Sequence, residues 1–125
     1  MNTCIARGAS YLLVASALSL ATAAPAKAQR FDGNWSVLIV TDSGDCDRAY
    51  RYGVRIAGGQ VRYAGDASVS FSGSVSGDGR VHVTVRAGNQ SASGSGRLSG
   101  NSGGGSWAGA SPTTRCSGHW EAERR

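Results

Sequence analysis

From Asn34 toward the C-terminus, apolar side chains recur at every second position in short runs, the period of a strand with one buried face. Trp35, Val37 and Ile39 make the first run, and Tyr50, Tyr52, Val54 and Ile56 make the second. Val61 and Tyr63 continue the alternation, followed by Val69, Phe71 and Val75, by Val81, Val83 and Val85, and by Leu98, Trp107 and Trp120. Glycine, serine, asparagine and aspartate fill the gaps. The pattern predicts eight strands, at 34–41, 49–56, 60–64, 68–75, 80–86, 91–99, 106–109 and 116–124. No segment of this region carries the apolar stripe of a helix.

The turns between the runs agree on one register. Gly58-Gly59 as a two-residue turn sets Ile56 against Val61, Val54 against Tyr63 and Arg55 against Arg62. Gly77-Asp78-Gly79 as a three-residue loop sets Val75 against Val81 and Phe71 against Val85. Gly88-Asn89 then opposes Val85 to Ala92, Val83 to Gly94 and Val81 to Gly96. Three independent turns thus assign the large apolar side chains to one face. Gly73, Gly94, Gly96, Gly109 and Gly118 fall among them, where a missing side chain lets a sheet curl and leaves room for aromatics.

The expected fold is all-β: a small eight-stranded antiparallel up-and-down barrel closed by one disulfide, with a two-sheet β-sandwich as the alternative. The outward positions include Arg51, Arg55, Arg62, Ser70, Ser72, Ser74, Arg80, His82, Thr84, Arg86, Arg97, His119, Glu121 and Glu123, a wall that suits water and not the apolar band of a membrane barrel. The inward face is expected to be a packed core without a large pocket.

Residues 1–28 have the pattern of an export signal. Arg7 precedes an apolar run at 11–24, and Ala26-Lys27-Ala28 offers a small-x-small cleavage site before Gln29. The run is shorter than the roughly 20 residues that span a bilayer, and Cys4 leaves with the signal. The expected mature chain, 29–125, is one domain in the periplasm or outside the cell. Its remaining cysteines, Cys46 and Cys116, are expected to pair in that oxidising setting, joining strand eight to the rim of strand one. Glycine and serine make up 33 mature residues against 15 of Leu, Ile, Val and Phe, a composition that leans toward disorder. The regular alternation argues for a folded domain instead.

Phe31-Asp32-Gly33-Asn34-Trp35 resembles the Gly-x-Trp opening of calycin barrels, the lipocalin, avidin and fatty-acid-binding group. That resemblance implies an arginine from the end of the barrel packed over Trp35, a part for which Arg124 and Arg125 are placed. Small eight-stranded barrels are also seen in periplasmic metalloprotease inhibitors of the Inh type. Over more of the chain, FDGNWSV at 31–37, DCDRAYRY at 45–52, GSGRLSG at 94–100 and CSGHWEAER at 116–124 resemble short exported alphaproteobacterial proteins of unestablished function. Members of such families are sometimes labelled heme-utilisation or adhesion proteins.

Little of the remaining chemistry favours catalysis. Gly100-Asn101-Ser102-Gly103-Gly104 imitates the G-x-S-x-G elbow but lacks its strand-to-helix context, and reads as a flexible hairpin loop. His82 and His119 lie on the outer face of strands five and eight with two strands between them, too far to share a heme or a metal, and read as solvated. Tyr50, Tyr52 and Tyr63 have the chemistry of heme-iron ligands, but their parity makes them core aromatics. Asp42, Asp45 and Asp47 depart from the D-x-D-x-D-G calcium loop and read as turn residues beside the disulfide. No cofactor or metal is expected.

The outward arginines are the least ordinary feature. The register opposes Arg55 to Arg62 and Arg80 to Arg97, and like charges across an antiparallel pair repel. Guanidinium groups bind carboxylate and phosphate bidentately, so these four are the candidate ligand-binding residues for an anionic surface, a polysaccharide or an acidic protein. Cys46, Cys116, Gly33, Trp35 and Arg124 are the candidate structural residues. The sequence therefore points to a noncatalytic exported binding protein. The alternatives are an inhibitor of an extracellular hydrolase and a binder of heme or another hydrophobic small molecule.

Overall fold

A computed structural model describes residues 30–63, 65 and 68–125. The export signal with Cys4, Arg7 and the cleavage site before Gln29 lies outside the described residues, as does Ala64 at the expected end of strand three. Eight antiparallel strands form one closed barrel in sequence order: β1 (Gly33–Ser43), β2 (Ala49–Ala57), β3 (Gln60–Tyr63), β4 (Ser70–Val75), β5 (Arg80–Ala87), β6 (Gln90–Ser99), β7 (Ser102–Ala110) and β8 (Arg115–Arg124). Closure comes from β1 pairing with β8, Trp35 opposite Arg124 and Ile39 opposite Trp120. The sandwich alternative is thereby set aside. No helix among the described residues is long and apolar enough to cross a membrane.

All three turns take the expected register. Ile56 opposes Val61, Val75 opposes Val81, and Val85 opposes Ala92. Gly58 and Gly59 both have positive φ, at 59° and 78°, which the hairpin turn demands and a side chain would resist. The β3–β4 junction is the thinnest seam: among the described residues its ladder holds only Gln60 with Ser74 and Val61 with Gly73.

The Gly100–Gly104 segment corrects the flexible-loop reading. Only Gly100 and Asn101 turn, and β7 already begins at Ser102, four residues before the expected start. The glycines there are needed for packing. A side chain on Gly103 would strike Leu98, one on Gly105 would strike the Ser95 carbonyl, and one on Gly96 would lie 2.6 Å from Cζ2 of Trp120. Strands β6 and β7 are bare so that a Trp and a Leu can lie flat on them.

The core fills only one end of the barrel. Trp35, Val54, Ile56, Val61, Val75, Val81, Leu98, Trp120 and Ala122 are buried together, and Phe31 caps them from below. Trp35, only 2% exposed, donates its indole N–H to the Phe31 carbonyl at 2.8 Å. Arg124 closes this end, its guanidinium 4.8 Å from the centre of a Trp35 ring, as the calycin resemblance implied. It donates to the carbonyls of Asp32 at 2.6 Å and Arg30 at 3.0 Å and to Asn101 Oδ1 at 2.9 Å. Asp32 in turn accepts from the N–H groups of Gly58 and Gly59. One end is thus sealed by a short N-terminal plug tied to the last strand and to two turns.

Candidate functional site

The opposite end is open, which overturns the expectation of a fully packed interior. A cavity of about 660 Å³ runs from the core to the rim that carries the disulfide. Its cause is side-chain size. On this half the β5–β6–β7 stretch of wall sets Val83 beside Gly94 and Val85 beside Ala92, with Gly109 next to Ala92, and such short side chains leave the lumen in front of them unfilled. Trp107 does not fill the gap, because its indole N–H reaches the Val40 carbonyl on β1 at 2.9 Å, which holds the ring toward the wall.

Below its polar mouth the rest of the lining is mainly aromatic and aliphatic. Tyr52 stands at the centre of a group of rings, 4.9 Å from Tyr50, 5.7 Å from Tyr63 and 5.4 Å from Phe71. Tyr50 has the expected inward parity but sits at the mouth and is 52% exposed, so it is a rim residue and not part of the core. Burial raises the pKa of the Tyr52 phenol above its ordinary value, with further contributions from Tyr50, Tyr63 and the carboxylate of Asp47. The phenol therefore stays protonated and able to donate.

The mouth is built by the segment between β1 and β2. Cys46 and Cys116 are joined, with their Cα atoms 6.2 Å apart, which ties this segment to the start of β8. Thr41, itself buried, donates its hydroxyl to the Asp47 carbonyl at 2.6 Å and its N–H to the Arg48 carbonyl at 2.9 Å. Gly44 passes so close to β8 that a Cβ would lie 2.7 Å from Cys116 Sγ, and its φ of 100° also excludes most side chains. The rim is thus a fixed shape.

The three aspartates do different things. Asp42 is the extra residue of a β-bulge between Thr41 and Ser43, and bulges re-aim side chains. It faces outward and meets Nδ1 of His119 at 2.8 Å, with Glu121 at 3.9 Å from the other ring nitrogen. His119 is therefore partnered and not simply solvated, and the Asp42 hydrogen bond, then the nearby carboxylates, hold its pKa above the ordinary histidine value. Asp45 and Asp47 line the mouth of the cavity. Among the described residues no group of three or more His, Cys, Asp and Glu side chains gathers in a way that would hold a metal.

On the outer wall the arginines stand where the register put them. Arg55 opposes Arg62 and Arg80 opposes Arg97. Arg55 reaches Asn34 Oδ1 at 3.4 Å, and no ion pair to any of the four is found among the described residues. His82 aligns with His119 through Ser95 and Ser106, about 14 Å away at ordinary strand spacing, so the two imidazoles share no ligand. The sequence pattern marked every aromatic of the cavity but not the cavity itself. The signal for it was the run of Ala and Gly at inward positions of β6 and β7, opposite valines.

The chain matches no protein-family model, no curated protein and no solved structure.

Proposed function

We propose that this chain is a noncatalytic, exported binding protein that holds a small, largely apolar molecule inside its barrel. The observation that carries this reading is the half-empty interior: about 660 Å³, closed below by Trp35 and Arg124, lined by valines and aromatic rings, and open at one rim. Small-molecule sites have volumes of about 300 to 1,000 Å³ and combine apolar walls with a few polar groups. The disulfide and the signal-like N-terminus support export to the periplasm or beyond.

Titration with N-phenyl-1-naphthylamine, a neutral dye that brightens in apolar surroundings, tests the reading. Saturable brightening is expected, and Val85→Trp, which puts a large ring into the cavity, should weaken binding at least tenfold while thermal melting remains cooperative. Absence of saturable binding, or unchanged affinity in a folded Val85→Trp protein, refutes it. The same titration with hemin, read at the Soret band, tests whether Tyr50 or Tyr52 serves as an iron ligand.

A second reading rests on a separate face. The Arg55–Arg62 and Arg80–Arg97 oppositions favour an anionic surface or polysaccharide as partner of the outer wall. Retention on heparin or lipopolysaccharide that survives in Arg62→Ser and Arg97→Ser would remove it.

A further inference from the structure

The charge of the cavity is opposite to the charge of the protein. The sequence carries 13 Lys and Arg against 8 Asp and Glu, a net charge of +5. Yet among the described residues no Arg, Lys or His lines the cavity, and the only charged lining residues among them are Asp45 and Asp47. The register explains the exclusion. Arg86 and Arg115, at the same rim, alternate with the inward Val85 and Cys116 and so project from the outer face. Arg48, in the mouth segment itself, is exposed and does not line the cavity, so among the described residues the charged lining consists of carboxylates.

Those two carboxylates are not on a loose loop. They flank Cys46, whose disulfide fixes the segment to β8, and the Thr41 hydroxyl holds the Asp47 carbonyl from beneath. Tyr50 and Tyr52 stand beside them on the lining, offering ring faces to a cation. Gln90, Ser91, Thr113 and Thr114 complete the rim with neutral oxygens able to accept hydrogen bonds from an N–H donor.

Resting on the small-molecule reading above, we propose that the ligand is an amphiphile with a protonated amine head, its apolar body lying in the barrel and its ammonium at the mouth between Asp45, Asp47 and the Tyr50 and Tyr52 rings. A fatty acid or other carboxylate of the same body is disfavoured, because its head would meet two like charges with no cation on the lining, among the described residues, to offset them. The disulfide lies next to both carboxylates, so its reduction frees the head-group site before the apolar one.

The test uses protein expressed from the full-length chain, with bound N-phenyl-1-naphthylamine displaced by dodecylamine, dodecanol and dodecanoate, three probes that share one tail. Dodecylamine should displace the dye at about tenfold lower concentration than dodecanoate, with dodecanol between them. That gap should narrow as salt rises from about 0.01 M to about 1 M. In Asp45→Asn with Asp47→Asn the three probes should fall within about threefold of one another, each displacement being read against the dye affinity measured for that variant. Among the described residues those side chains make none of the hydrogen bonds that hold the rim, and an intact disulfide by mass with cooperative thermal melting checks the fold. If the dye does not bind, the small-molecule reading itself fails and this proposal with it. If the dye binds but dodecanoate equals or exceeds dodecylamine, or the gap persists in the double variant or at high salt, the amine assignment alone is overturned.

Discussion

Replacing Arg124 with Met removes the tie that closes the sealed end, and the cost can be worked from its contacts. The guanidinium lies over a Trp35 ring at 4.8 Å, and a desolvated cation–π contact contributes about 1 to 2 kcal/mol. It also donates to the Asp32 and Arg30 carbonyls and to Asn101 Oδ1. A charged donor contributes about 1.5 to 3 kcal/mol to a buried hydrogen bond, but these bonds sit at a half-open rim where water replaces part of each. Together the losses come to about 3 kcal/mol. For a domain near 100 residues that is a drop of about 15 °C in Tm. Arg124→Lys keeps the charge over the ring but cannot span three acceptors with one planar fork, so it should lose about half as much. Urea unfolding and calorimetry of both variants measure the two numbers. If Lys equals Arg, or if Met costs less than about 1 kcal/mol, the plug is held by something other than the fork of Arg124.

Four further outcomes follow. Protein exported to an oxidising compartment should show no free thiol at Cys46 or Cys116 by alkylation and intact mass, and Cys46→Ser with Cys116→Ser should lose about 4 kcal/mol, the loop-entropy value for a bridge across 70 residues. Trp35→Ala should cost about 3 to 5 kcal/mol in denaturant unfolding, since the ring is fully buried at the sealed end. Because His119 has a raised folded-state pKa, its pairing with Asp42 stabilises the fold below the unfolded histidine pKa and is lost as pH rises through the folded value; Asp42→Asn should lower the His119 pKa in an NMR titration. Arg62→Ser should leave stability unchanged or raise it by up to about 0.5 kcal/mol, more at low salt than at high, because Arg62 opposes Arg55 and gains no anion in return.

The wall of this barrel was legible in the sequence because its signals are local. Gly58-Gly59 and Gly88-Asn89 set their strand pairs by turn chemistry alone, and parity then carried Val54, Val61 and Val81 to the inside. The lumen was less legible, because whether it fills depends on which side chains meet across it, and those come from strands that are not neighbours. Trp107 and Val83 share a parity, but only the distant Val40 carbonyl decides that the indole leans to the wall and leaves a space. Glycine misled for a related reason. In β7, Gly103 marks a surface on which Leu98 rests, as Gly94 and Gly96 in β6 do for Trp120, a long-range demand that looks in one dimension like a loop. The bulge at Asp42, which turns that carboxylate out to His119 and away from its neighbours, has no sequence mark at all.

A ring of strands has no free edge until it is cut, and this one has a place where cutting is cheap. Among the described residues every other junction in the wall has a longer ladder than the Gln60–Ser74 and Val61–Gly73 pairs that join β3 to β4. Thermal opening therefore concentrates there, and the amides of that seam should exchange with deuterium ahead of those in the β6–β7–β8 wall. Each such opening turns a barrel into a curled sheet with two bare margins for as long as it lasts. Those margins carry Arg62 on one side and the serines of β4 on the other, a charged and polar fringe of the kind that keeps one opened molecule from zipping onto the next.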